Sequence, residues 1–315
     1  MKRLLFLLAV LFVPTSHAAE LGGEPVALVT AEAQNQLIAV DSSSGRILRR
    51  LAMPADPQNV EANDHTAIVV STHGRAVTLV DTQRLAVTRV FRGFGSPHIA
   101  AISPGGDYAC VTDDSRGQLV VIGLARKRIL DRVFVGFGAH HMAFRPHHHE
   151  LWIVLGERAR SIHIVDTSDP AHPRGRGFFS PPGGLMHDLA FAYGGRRLWV
   201  AYDDRPTVAV FDVTTRRQLL ALPAGSPPQH VAIGRYAYVT SGNDARLRIF
   251  SVAGRLLGAA STAPGSFNLA IGSDGTVLTP SLTSGTLTRL GSTGRRLMQR
   301  HVAVAARDAA PVVVP

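Results

Sequence analysis

Val208-Ala-Val-Phe-Asp212 is one of seven short apolar stretches that decide the fold of this chain. Each stretch is rich in β-branched or aromatic residues and usually closes on Asp or Gly, as strands do before a turn. The other six stretches are 37–41, 77–81, 119–123, 162–166, 247–251 and 287–291. Their last residues are separated by 40, 42, 43, 46, 39 and 40 positions. Strand-length segments at a period of about 40–45 residues are typical of propeller blades.

Three further strand-like segments accompany each stretch. An inner strand such as Val231-Ala-Ile233 precedes Tyr236-Ala-Tyr-Val-Thr240, and a fourth strand such as Gln218-Leu-Leu-Ala-Leu222 follows the stretch. Polar turns separate these segments, and no segment has helical periodicity. The sequence therefore predicts an all-β chain that folds as a single seven-bladed β-propeller with four-stranded blades over residues 19–315.

The two ends of the chain predict how the ring closes. Pro25-Val-Ala-Leu-Val-Thr30 aligns with the second strand of a unit, so the first blade lacks its innermost strand. Arg307-Asp-Ala-Ala310 aligns with His187-Asp-Leu-Ala190, which begins an inner strand. We expect the C-terminal strand to complete the N-terminal blade, because closure removes the exposed strand edges of an open array.

Residues 1–18 have the pattern of a secretory signal peptide. The apolar run 4–13 follows Lys2 and Arg3, and Ser16 and Ala18 form a small-x-small cleavage pattern. The run is shorter than the roughly 20 residues that span a bilayer. We therefore expect a soluble, secreted or periplasmic protein without a transmembrane segment. Cys110 is the only cysteine, so no intramolecular disulfide can form.

The net charge limits the kinds of partner. Removing Lys2 and Arg3 from the formal charge of +10 leaves +8, carried mostly by scattered arginines. The longest basic run is Arg126-Lys127-Arg128, which is too short to predict a nucleic-acid groove. We expect a monomer that binds a small-molecule or cell-envelope ligand rather than nucleic acid.

A polar side chain stands where each predicted inner strand begins. These residues are Asn59, His98, His141, His187, His230, Asn268 and Arg307, at spacings of 39, 43, 46, 43, 38 and 39. Such positions line the mouth of the central channel of a propeller, so we predict a ligand-binding site there. A structural alternative is that each side chain binds a backbone carbonyl of the next blade.

Loops between the second and third strands should lie on the same face. They add His73, Asp113 and Asp203, within the segments 72–75, 113–116, 156–158, 203–205 and 243–244. Imidazoles, carboxylates and guanidiniums around one concavity favour a small polar ligand. Two or three of the ring histidines, helped by Asp113 or Asp203, could bind one divalent cation; four cannot, because neighbouring blades stand farther apart than the ~4.8 Å strand spacing. The cofactor is otherwise unassigned. His147-His148-His149 falls in a turn on the opposite face.

Several motifs resemble the YVTN-type repeat of exported bacterial β-propellers. They are Tyr238-Val-Thr240, Ala109-Cys-Val-Thr112, Ile102-Ser-Pro-Gly-Gly-Asp107 and Val165-Asp-Thr167. The resemblance covers residues 25–315 and implies the fold, whereas this family is a scaffold with many uses. Exported propellers similar to the haem-d1 domain use histidines at the channel mouth to hold a tetrapyrrole, which gives one alternative ligand.

A weaker resemblance gives an alternative function. Ser96-Pro-His98 and Pro227-Pro-Gln-His230 are similar to the Pro-His segments of streptogramin lyases, in which histidines and a divalent cation promote elimination from a cyclic ester. The resemblance implies that His187 and His230 act as general bases, and an imidazole with a pKa of about 6.5 suits that role. The Trp-Phe-Thr-Glu strand of those lyases is absent, so Asp113 or Asp203 would replace its Glu.

Overall fold

Seven four-stranded antiparallel sheets surround one axis in the computed structural model, which describes residues 23–155 and 160–315. The predicted all-β, seven-bladed propeller is confirmed. The predicted signal peptide and the loop residues 156–158 lie outside the described residues. Within the two described ranges, no helix is long and apolar enough to cross a membrane.

The strands follow the blades in chain order. Blade 1 contains β1 (Glu24–Ala31), β2 (Gln36–Asp41), β3 (Ile47–Ala52) and the last strand, β28 (Ala306–Val314). Blade 2 contains β4 (Pro57–Ala62), β5 (Thr66–Ser71), β6 (Ala76–Asp81) and β7 (Ala86–Arg92). Blade 3 contains β8 (Pro97–Ile102), β9 (Tyr108–Asp113), β10 (Gln118–Gly123) and β11 (Arg128–Phe134). Blade 4 contains β12 (Met142–Phe144), β13 (Glu150–Val154), β14 (Ile162–Asp166) and β15 (Arg174–Phe179).

The remaining blades repeat this order. Blade 5 contains β16 (Met186–Ala192), β17 (Arg197–Tyr202), β18 (Thr207–Asp212) and β19 (Gln218–Pro223). Blade 6 contains β20 (Val231–Ile233), β21 (Ala237–Ser241), β22 (Arg246–Phe250) and β23 (Leu256–Ser261). Blade 7 contains β24 (Ala270–Ile271), β25 (Val277–Pro280), β26 (Thr286–Leu290) and β27 (Arg296–His301). Two single-turn 3-10 helices join second and third strands: Glu32–Gln34 lies between β1 and β2 of blade 1, and Asp114–Arg116 lies between β9 and β10 of blade 3.

The C-terminal strand closes the ring. β28 pairs antiparallel with β1, from Glu24 opposite Val314 to Val29 opposite Ala309. It is the innermost strand of blade 1, as the alignment of the chain ends predicts. The two ends of the chain are thus joined by a hydrogen-bonded ladder and by apolar packing.

The hydrophobic core lies between blades. Each of seven apolar clusters joins residues of two neighbouring blades. The middle strands are buried on both faces, as in β17 from Leu198 to Tyr202, so they form continuous apolar runs. Trp152 and Trp199 are 2% and 0% exposed and pack between blades, as expected from their alternation in the sequence.

Backbone hydrogen bonds fix the residues that precede the inner strands. The N–H of His140 donates to the carbonyl of Val154, and the N–H of Val154 donates to the carbonyl of His141. In blade 6 the N–H of Gln229 donates to the carbonyl of Thr240. The side chains at the channel mouth are therefore carried by an ordered scaffold rather than by free loops.

Candidate functional site

A cavity of about 430 Å³ lies at the mouth of the channel, where the inner strands begin. We call it the mouth cavity. Its lining comprises Gln58, Asn59, His98, Ile99, His140, His141, His187, Gln229, His230, Phe267, Asn268, Leu282 and Arg307. All seven residues that the sequence places at the starts of inner strands are among them. Asp113, Asp203 and His73 are not.

The lining residues occupy two successive positions in each blade. Strand pairing shows that a lower ring consists of Asn59, Ile99, His141, Asp188, His230, Asn268 and Asp308. The residues immediately before them form an upper ring of Gln58, His98, His140, His187, Gln229, Phe267 and Arg307. The prediction that all seven residues occupy the same position in their blades is therefore wrong for His98, His187 and Arg307. These three lie in the upper ring, one residue before the position that the other four occupy. Loop lengths differ between blades, so spacing alone does not resolve a shift of one residue.

Part of the lower ring has a structural role. Asn59 Oδ1 accepts a hydrogen bond from the N–H of Ala100 at 2.8 Å, and Asp188 Oδ2 accepts one from the N–H of Val231 at 3.0 Å. Asp308 Oδ2 accepts from the N–H of Val60 at 3.0 Å and from Asn59 Nδ2 at 2.8 Å. Each side chain clasps the next blade, as in the structural alternative, although the partner is a backbone N–H and not a carbonyl. Sequence reasoning missed Asp188 and Asp308.

Three histidines of blades 4, 5 and 6 converge on one point. One ring nitrogen each from His141, His187 and His230 lies within 4.8 Å of the other two. The ring planes are inclined to one another by 44°, 70° and 82°, so their in-plane lone pairs approach from different directions. Nitrogens on one tetrahedral zinc stand about 3.3 Å apart. Small side-chain rotations therefore give a three-nitrogen ligand set, which we call the His triad.

Carboxylates stand behind two members of the His triad. His187 Nδ1 lies 3.0 Å from Asp203 Oδ2, and His230 Nδ1 lies 3.3 Å from Asp188 Oδ2. The contact of His187 is a hydrogen bond, and because a carboxylate can only accept, Nδ1 of His187 carries the hydrogen. Histidines that bind metals in proteins usually donate their other ring N–H to a carboxylate in this way. Asp203 thus supports the site without lining the mouth cavity.

His141 is an orphaned polar group. It is 5% exposed, and its Nδ1 is buried without a hydrogen-bond partner in the described part of the chain. Leaving such a group unpaired costs about 1–3 kcal/mol. A bound ion would satisfy the imidazole.

His98 and His140 have a different geometry. Their rings are stacked, with centroids 3.7 Å apart and planes inclined by only 13°. Together with His141 they offer nitrogens within 4.8 Å of one another. Lone pairs of parallel rings do not converge, however, so this second group is a poorer ligand set than the His triad. His140 was missed by sequence reasoning because His141, the next residue, fitted the repeat spacing equally well.

Three imidazoles around the cavity have pKa values below the ordinary value. Burial, reinforced by the neighbouring histidines, lowers the pKa of His140 from 6.5 to about 4. The same causes, with burial first, hold the pKa values of His98 and His141 well below 6.5. Metal ions bind neutral imidazole. The lowered pKa values of His98, His140 and His141 therefore favour the neutral, ligating form of these three imidazoles.

Two of the predicted mouth residues serve other purposes. Asp113 is fully buried, and its two oxygens accept hydrogen bonds from the N–H groups of Gly95 and Ser96 at 2.7 and 2.8 Å. It ends β9 and fixes a loop, whereas Asp203 follows β17 and reaches His187. The His73 side chain is 81% exposed and pairs with Asp56 at 3.1 Å, outside the mouth cavity.

A larger cavity of about 960 Å³ continues below the lower ring along the channel. His141 and His230 line both cavities, so the His triad lies between them. Glu61 lines only the lower cavity. Burial, followed by repulsion from Asp308, raises the pKa of Glu61 to about 8.

Several solved structures that are similar to this chain come from bacteria. A functionally unknown protein from Desulfotomaculum acetoxidans has a TM-score of 0.81 at 13% identity, covering 92% of this chain and 99% of that one. The periplasmic gluconolactonase PpgL of Pseudomonas aeruginosa has 0.73 at 20%, covering 92% and 99%. Apo AztD of Citrobacter koseri has 0.70 at 12%, covering 92% and 98%.

These similarities show the fold alone, because all three identities are low. No protein-family model matches the chain, and no curated protein sequence does either. The YVTN-type assignment therefore stays a prediction, while the relation in fold to bacterial β-propellers is established.

Proposed function

We propose that this protein is an exported, monomeric binding protein whose mouth cavity takes one divalent transition-metal ion through His141, His187 and His230. The observation that carries the proposal is the convergence of three imidazoles from three blades, two of them held by Asp203 and Asp188. The unpartnered Nδ1 of His141 supports it independently, because nothing in the described protein satisfies that atom.

The ligand chemistry favours a metal of the zinc, copper or nickel class. Imidazole nitrogen suits these ions, whereas calcium and magnesium prefer oxygen. Only 16% of the His187 side chain and 16% of the His230 side chain are exposed, so much of the hydration shell would be replaced. Three protein ligands leave one position of a tetrahedral ion open towards the mouth cavity.

Export agrees with the predicted signal peptide and with the periplasmic description of PpgL. The lone thiol, Cys110, is buried, and burial raises its pKa. It is therefore unsuited to compete with the histidines for a thiophilic metal. Metal uptake would depend on the imidazoles alone.

Binding is favoured over the lyase alternative by the arrangement of the implied bases. A general base needs a free ring nitrogen to take up a proton. The resemblance gives that role to His187 and His230, whose rings converge with that of His141 and lie beside Asp203 and Asp188. With one ring nitrogen on the ion and the other against a carboxylate, neither imidazole would be free to accept a proton. Elimination from a cyclic ester, abolished by EDTA and restored by magnesium, would instead support the lyase.

Calorimetric titration of the mature, untagged protein with Zn²⁺ tests the proposal. We expect one tight equivalent per chain, and none for the double variant His187→Ala/His230→Ala. The matched control replaces the exposed residues His147, His148 and His149 by Ala. These lie in the turn between β12 and β13, on the opposite face.

The control variant should keep the tight equivalent. Tight binding that survives in the double variant, or that disappears with the opposite-face histidines, would place the metal elsewhere. Thermal melts of the apo proteins establish that each variant is folded. If the double alanine variant does not fold, His187→Gln/His230→Gln is used instead, because glutamine keeps a side-chain volume similar to that of histidine.

A further inference from the structure

We propose that the metal ion is bound together with a small dicarboxylate, which takes its open coordination position at one end and pairs with Arg307 at the other. This inference rests on the proposed function and names a second ligand of the same site.

The mouth cavity is larger than an ion requires. Its volume of about 430 Å³ falls within the range of small-molecule pockets, which is roughly 300–1,000 Å³. Its lining also includes the amides of Gln58, Gln229 and Asn268 and the apolar side chains of Phe267 and Leu282. Amides and apolar side chains suit an organic molecule with polar ends better than they suit a hydrated ion.

Arg307 stands across the cavity from the His triad. It belongs to blade 1, and in a ring of seven the positions opposite blade 1 are blades 4 and 5, which carry His141 and His187. Arg307 and the three histidines of the His triad line the same cavity. The cavity therefore has a metal-binding end and a cationic end.

The guanidinium of Arg307 lines the mouth cavity and has one long ion pair, with Glu32. Its contact with Glu32 is 3.6 Å long, beyond the roughly 2.7–2.9 Å of a strong charge-assisted hydrogen bond. Burial raises the pKa of Glu32, and the charge of Arg307 offsets part of this shift. Oε2 of Glu32 has no hydrogen-bond partner among the described residues, so Arg307 donates nothing to it. The Arg307 side chain is 31% exposed.

A dicarboxylate matches both ends. One carboxylate binds a divalent metal through oxygen, and the planar fork of an arginine binds the other in a bidentate manner. Acetate has one carboxylate, which can bind the metal but leaves nothing to pair with Arg307. Comparing acetate with a dicarboxylate therefore separates the contribution of Arg307 from that of the ion.

The test uses Co²⁺, whose visible spectrum reports its ligands, in the mature, untagged protein. Malonate and succinate should shift the Co²⁺ bands at concentrations at least about tenfold lower than acetate, because the second carboxylate gains a charged hydrogen bond. Arg307→Gln should remove that preference, while Co²⁺ still binds and acetate still shifts its bands. Arg307→Lys should restore part of it.

Arg84→Gln is the matched control for net charge. Arg84 is exposed on the opposite face and pairs with Asp81, so this variant should behave as the wild type. Absence of any Co²⁺ spectrum would overturn both the proposed function and this inference. Normal Co²⁺ binding with equal responses to acetate, malonate and succinate, or an unchanged preference in Arg307→Gln, would overturn the dicarboxylate alone.

Discussion

Replacing Asp203 by Asn should weaken metal binding without removing any ligand. Asp203 Oδ2 accepts from His187 Nδ1 at 3.0 Å, and Oδ1 accepts from Gln229 Nε2 at 3.2 Å. A carboxylate accepts both hydrogen bonds, whereas an amide accepts on one side and donates on the other. Asn therefore either loses Gln229 or turns His187 to the tautomer whose Nε2 carries a hydrogen and cannot bind metal.

The size of the effect follows from the position of Asp203 behind a ligand. Loss of such a partner typically reduces metal affinity about 10- to 100-fold, which corresponds to roughly 1.4–2.7 kcal/mol. Removing His187 itself should be far more damaging. The fold should tolerate the change, since the Asp203 side chain is 31% exposed.

Competition for Zn²⁺ against a chromophoric chelator at pH 7 measures the affinity. Asp204→Asn is the control, because Asp204 is the neighbouring carboxylate and pairs with Arg205 rather than with a histidine. It changes the net charge equally and should shift the affinity less than about twofold. Equal affinities for the two variants would refute the argument that Asp203 orients His187.

Acidification should destabilise the apo protein. The folded pKa of His140 is about 4 against an ordinary 6.5, so the unfolded chain takes up the proton first and stability falls as pH drops from 6.5 towards 4. His140 alone accounts for about 3 kcal/mol of this loss, and urea melts of His140→Gln should show a flatter pH dependence below pH 6.5. Deleting residues 307–315 removes most of β28 and should broaden or abolish the single cooperative melt, whereas an unchanged melt would contradict closure by that strand.

The architecture was predictable from the sequence because its repeat is long and redundant. Seven apolar stretches at near-constant spacing identify the blades even where one blade departs from the pattern. The alignment of Arg307 with His187 was sufficient to predict ring closure, and these two residues do occupy equivalent upper-ring positions. Packing between blades buries both faces of the middle strands, so the same composition recurs in each unit.

The details of the site required coordinates. Two successive polar residues precede several inner strands, and spacing does not tell which of His140 and His141 belongs to the upper ring and which to the lower ring. Asp188 and Asp308 each directly follow a predicted residue, and this shared polar-Asp pair was a signal that could have identified the inter-blade clasps. Asp113 and Asp203 both stand at the end of a second strand, but Asp203 lies one position later than Asp113. Asp113 therefore accepts from backbone N–H groups, whereas Asp203 accepts from His187.

X-ray absorption at the zinc edge tests the account most directly. For the Zn²⁺-loaded mature protein we predict three imidazole nitrogens at about 2.0–2.1 Å and one further light atom. The variant His141→Ala removes the buried member of the His triad. Its zinc shell should lose one imidazole, or the metal should be lost altogether. A shell made only of oxygen, or an imidazole count that is identical in the variant, would contradict the His triad.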